Sequence, residues 1–131
     1  MKNHISPQEE TLQSGINRIA PRAYERLEDL TLLSQEQAFR IICLILEFCC
    51  KSQHTAAIMI GRKTFARLPQ DWIALNLKPA ISSVVDLEDP WEYRRLLELL
   101  KETKSEFLGH YIAIGAVSKE PEVQETSFEF K

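Results

Sequence analysis

Thirteen residues, Ala38 to Cys50, read AFRIICLILEFCC and make up the longest near-continuous apolar run of the chain, broken only by Arg40 and Glu47. On a helix, Glu36, Arg40, Glu47 and Lys51 fall along one narrow polar stripe. Phe39, Ile41, Ile42, Ile45, Leu46, Phe48 and Cys49 cover most of the remaining circumference. A helix that is apolar on nearly every side has to be wrapped by others. A bilayer crossing takes about 20 residues, so this shorter run reads as a buried core helix.

The rest of the composition agrees with a wrapped core. A chain of 131 residues is one domain long enough to bury most of its apolar surface, and 44% hydrophobic with 27% charged residues is the balance of a folded globular protein. The net charge of −3 weighs against nucleic acid and anionic membranes as partners, since both call for a basic footprint. The start, MKNHISPQEE, has neither an apolar core nor a small-residue cleavage site, and a cytoplasmic protein is expected.

Cys43, Cys49 and Cys50 share the central run. Cys43 and Cys50 would stand about 10.5 Å apart along a helix, beyond the reach of a disulfide, so the three read as small buried hydrophobes. Cys50 and His54 have the spacing of half a zinc site, but no second Cys/His pair completes it. No metal or cofactor is expected.

In chain order, Ser6-Pro7-Gln8-Glu9 reads as a capping box opening a helix over about 7–19. Pro21 interrupts it, and a second segment with Tyr24, Leu27 and Leu30 on one side runs to about Thr31. Arg18, Arg22 and Arg26 are spaced like a phosphate-binding stripe, but interleaved Glu25, Glu28 and Asp29 favour a solvated face. Ser34 and Gln37 box the central helix, which should end near Lys51 or Ser52. A helix over about 54–68 carries Ala57, Ile58, Phe65 and Leu68 inward, with Gly61 allowing a neighbour close and Arg62, Lys63 and Arg67 outward.

Pro69 opens one kinked helix, or two short ones, up to Val85. Asp89-Pro90-Trp91-Glu92 repeats the capping pattern and starts a helix to about Lys101 that exposes Arg94, Glu98 and Lys101. Ser105 is expected to cap a helix over about 106–117 whose Gly109, Ala113 and Ala116 offer a small-residue packing face. Pro121 begins a last helix, with Phe128 and Phe130 near its end. No stretch alternates with period two, so the chain is read as all-α, with seven or eight helices.

Three helices begin near Gln35, Gln70 and Glu106, and a period of about 35 residues marks a helical solenoid. The helix pairs would be about 35–68, 69–103 and 105–130, with the first 33 residues as a partial pair or cap. The stretch from Pro79 to Leu97, PAISSVVDLEDPWEYRRLL, resembles a HEAT-type repeat. The resemblance implies a kink at Pro79, a turn acid at Asp86 or Asp89, and a turn-binding arginine at Arg94 or Arg95. It also implies a short stack of antiparallel pairs that serves as a scaffold and binds a partner along the second helix of each pair.

That face would carry Arg62, Lys63 and Arg67, then Arg94, Glu98 and Lys101, then Glu122, Glu125 and Glu129. Such a groove grades from basic to acidic and suits a protein segment of complementary charge. The expected function is a non-catalytic protein-interaction module: an adaptor, regulator or inhibitor. Two open ends also leave room for a homodimer, with Phe128 and Phe130 covering one end or docking on a second copy.

The alternative is a nucleic-acid-binding HEAT-like domain, since a few bacterial proteins of this architecture excise damaged bases. On that reading Trp72 or Trp91 stacks on a base, Asp86 or Asp89 stabilises charge or acts as a base, and Arg62, Lys63 and Arg67 hold phosphates. Against it stand the acidic net charge and the simpler use of Trp91 and Asp89 at a helix start and of Trp72 in the core. An ion held by Asp86, Glu88, Asp89 and Glu92 lacks the glycine-pivoted loop of an EF-hand, and His4, His54 and His110 have no Ser or Cys partner at a recognisable spacing.

Overall fold

A computed structural model describes residues 5–131. Met1 to His4, with part of the start motif and one of the three histidines, lie outside the described residues. Those described form an all-α fold with no strand among them. The α-helices are α1 (Pro7–Ile19), α2 (Gln35–Leu46), α3 (Thr55–Phe65), α4 (Gln70–Val84), α5 (Pro90–Glu102), α6 (Leu108–Ala116) and α7 (Pro121–Glu129). A 3-10 segment covers Ala23–Leu32, and a π-helical turn, Glu47–Lys51, continues α2.

The central helix sits where its pattern requires. Ala38, Ile41, Ile42, Ile45, Leu46, Cys49 and Cys50 are buried, while Glu36, Arg40, Glu47 and Lys51 face solvent. α1, the 3-10 segment, α3 and α4 pack on α2, and α3 and α5 pack on the π turn. Gly61 lets α3 come this close, because a Cβ there would stand 3.0 Å from both the Cys49 amide nitrogen and the Phe48 Cβ.

The helix starts are set locally. The Ser6, Ser34 and Asp89 side chains accept from the backbone N–H groups of Glu9, Gln37 and Glu92 at 3.1, 3.1 and 3.0 Å. Only Ser34 forms a full capping box. The Glu9 carboxylate instead accepts from the Tyr24 hydroxyl at 2.7 Å, and that of Glu92 from Lys51 at 3.0 Å and the Asp86 amide at 2.9 Å. Each boxed glutamate is claimed by a group from elsewhere in the fold.

α4 is one helix that continues through Pro79, in line with the first of the two alternatives expected there. Other expectations are corrected. α4 lies against α2, and α5 against the π turn, more closely than they lie against each other, so 69–103 does not pack as a separate pair. Neither Arg94 nor Arg95 ties the turn: Arg94 reaches Glu129 on α7 at 2.7 Å, and Arg95 reaches Glu98 at 3.0 Å.

α6 starts later than Ser105 implied, because that hydroxyl accepts from the Phe107 amide two residues on, closing a turn rather than capping a helix. Gly109 and Ala113 face solvent, and space around Gly109 is open. The close approach is at Gly115 instead, where a Cβ would overlap the Tyr93 hydroxyl, itself bonded to the Tyr111 carbonyl at 2.7 Å.

Candidate functional site

Ion pairs link α3 to α5 and α5 to α7. Arg62 on α3 donates to Glu98 and, at 3.4 Å, to Glu102, both on α5. Arg95 takes the other Glu98 oxygen at 3.0 Å, and Arg94 meets Glu129 on α7 at 2.7 Å. Arg62, Arg94, Glu98 and Glu129 are thus answered within the molecule, whereas Lys63, Lys101, Glu122 and Glu125 have no ion pair among the described residues.

The six predicted contact residues separate accordingly. Arg62 is not an outward residue: its side chain is only 14% exposed and is committed to α5. Arg94 and Glu98 are half-buried pairing partners. Arg67 turns towards the 3-10 segment, donating to the Tyr24 carbonyl at 2.6 Å and to Glu28 at 3.0 Å, and holds the Glu28 carboxyl below its usual range. Lys63 and Lys101 are exposed and make no ion pair among the described residues.

Two clefts flank these ion pairs. The first, about 410 Å³, lies between the end of α3, the first half of α4 and the α5–α6 turn. Phe65, Ile73, Ala74, Leu77 and Phe107 provide its apolar lining, with Lys63, Lys104, Glu102 and Glu106 at its mouth. The second, about 690 Å³, lies between α5 and α7 and is lined by Trp91, Arg94, Arg95 and the acidic row Glu122, Glu125 and Glu129. Lys104 and Phe107 carried no recognisable sequence signal, because they belong to a short turn without periodicity.

The base-excision constellation is not assembled. Trp72 is buried. Trp91 donates its indole N–H to the Ser52 carbonyl at 3.0 Å, and the Arg95 guanidinium covers its ring at 4.4 Å. Asp89 caps α5, and Asp86 accepts from the Glu88 amide at 3.0 Å.

Cys50 is buried while His54 is exposed with its ring against Gln8 at 3.2 Å, so the two do not face one site. Burial pushes the Cys50 thiol up to about 12 and Cys49 well above its ordinary value, which keeps both protonated and unreactive. Among the described residues no group of three His, Cys, Asp or Glu side chains is placed to hold a metal ion, and no helix is long and apolar enough to cross a membrane. Compared with protein-family models, curated proteins and solved structures, the chain finds no match.

Proposed function

We propose that this chain is a non-catalytic protein-interaction module, an adaptor, regulator or inhibitor of a larger complex, built in the manner of a short HEAT-like stack. The observation that carries the reading is the α3–α4 cleft: an apolar lining rimmed by charge, beside helices fixed to one another by ion pairs. Concave apolar surface with a polar rim is the usual anatomy of a docking site.

The non-catalytic part rests on how the ionisable candidates are used. Asp86 and Asp89 hold turns, and the exposed His110 ring sits edge-on to Tyr111, 4.9 Å between centres. The HEAT-like part rests on the sequence of the Pro79–Leu97 segment and on the ion pairs that join α3 to α5 and α5 to α7. A cytoplasmic location fits three unpaired cysteines.

The test is site-specific photo-crosslinking of the full chain in its native cells, with benzoylphenylalanine in place of Lys63 in one variant and of Glu125 in another. A single protein joined in good yield from position 63 is the expected result. No protein adduct from either position would remove the basis for the reading.

A further inference from the structure

The α3–α4 cleft differs in sign from the protein that carries it. Lys63, Lys78 and Lys104 are exposed around it and make no ion pair among the described residues. Lys78 Nζ lies 5.3 Å from the centre of the Phe107 ring, which forms one wall. Of the two carboxylates at the mouth, Glu102 is taken by Arg62, and Glu106 alone has no ion pair. Two unpaired lysines of the lining, Lys63 and Lys104, with Lys78 beside it over the Phe107 ring, thus stand against one unpaired carboxylate, in a chain whose net charge is −3.

The backbone of the rim is specialised as well. α5 ends with the Ser105 amide donating to the Leu100 carbonyl at 2.9 Å and the Lys104 amide to the Lys101 carbonyl at 3.1 Å. This is a Schellman closure, in which the residue at the position of Lys104 must be left-handed and is usually glycine. Here a lysine occupies it at φ 54°. A side chain in that conformation costs stability that glycine would not, so its presence at a cleft mouth points to a use for the ammonium group.

Apolar surface is also offered to a visitor. Ala74 is exposed in the wall, Phe107 is half-buried, and the neighbouring Leu75 is 80% exposed. Pro79 has no N–H to give the Leu75 carbonyl, which frees that acceptor on the same helix. A volume of about 410 Å³ suits one or two large side chains.

We infer that this cleft takes an acidic segment of a partner protein, which seats one or two large apolar side chains against Ile73, Ala74 and Phe107 while its carboxylates meet Lys63, Lys78 and Lys104. The inference rests on the interaction-module reading and adds the chemistry of the partner. Charge complementarity of this kind steers encounter and rejects basic competitors.

The test pans a phage-displayed random peptide library on the full chain and measures the enriched peptides, synthesised with a fluorescent label, by polarisation. Enriched sequences are expected to be acidic with an aromatic or aliphatic anchor. Lys63→Glu should weaken them about tenfold, the order of one lost charge pair. Ala74→Arg, which fills the cleft, should abolish binding. Lys104→Gly separates function from folding: it should raise the thermal midpoint yet weaken the peptides several-fold.

Enrichment of basic or neutral peptides, or of none, overturns the inference. So does tighter binding of a labelled oligothymidylate that Lys63→Glu abolishes, which would give the lysines to phosphate. Acidic peptides indifferent to all three variants would move the site off this cleft and leave the module reading standing, since crosslinking decides that one separately.

Discussion

The two clefts beside the ion pairs of α5 hold similar numbers of ionic groups and differ in the charge left over once those pairs are made. Between α5 and α7, Arg94 faces Glu129, and Arg95 is shared between Glu98 and the Trp91 ring. Between α3 and α4 the lysines at the mouth have no ion-pair partner among the described residues, and the wall behind them is apolar. In the α5–α7 cleft Arg94 and Arg95 are paired while Glu122 and Glu125 have no ion pair among the described residues, so the charge left over is acidic. In the α3–α4 cleft Arg62 and Glu102 are paired, and the charge left over is mainly basic. Charge density read along a sequence does not separate these cases, because pairing is decided by which helices become neighbours.

The contrast can be broken most severely at Gly115. Gly115→Ala drives a methyl into the Tyr93 hydroxyl and is expected to cost about 3 kcal/mol by overpacking. Because α6 and α7 lean on α5, amide exchange should accelerate there first and leave the α3–α4 cleft protected. Equal loss at both clefts would show that they are not separable.

Arg62→Met comes next, at about 2 kcal/mol in urea unfolding, between the values for exposed and fully buried pairs. It removes the link between α3 and α5 while Arg95 still neutralises Glu98.

Alkaline pH probes the π turn behind both. An unfolded Cys50 thiol ionises near 9.0 and the native one near 12, so between those values the unfolded chain holds fewer protons and stability falls as pH rises. The loss is about 1.4 kcal/mol per pH unit for this group, and Cys50→Ala should flatten the profile by that slope. Smaller again is Arg94→Ala, expected below about 0.5 kcal/mol because the pair it breaks is well exposed. Lys63→Glu should leave the denaturation midpoint unchanged, and a sizeable shift would show that Lys63 is structural.

What could be read from the sequence was what is decided within a turn or two. Ser6, Ser34 and Asp89 marked three helix starts, since a cap needs only its own next three residues. The stripe through Glu36, Arg40, Glu47 and Lys51 followed from helical geometry alone. Glu9 and Glu92 were misread because Tyr24, Lys51 and Asp86 reach them only once the chain has folded.

The same holds for the small residues of α6. Gly109, Ala113 and Ala116 have the spacing of a packing face, but the partner that matters, Tyr93, meets Gly115. At the cleft, Lys63 was among the anticipated residues, whereas Lys104 was not, because its left-handed closure leaves no periodic trace.

The π turn has a consequence for how the chain can change length. The turn is the C-terminal end of the central helix, wound wider than an α-turn and followed by the non-helical residues 52–54, and Gly61 of α3 packs against its Cys49. Removing one residue from Glu47–Lys51 should turn the buried Cys49 and Cys50 away from α3 and α5, a loss of the same kind as a deletion inside α5 that rotates Tyr93 or Leu97 out of the core. Length can therefore change in the loop at 52–54 more readily than in the turn that precedes it.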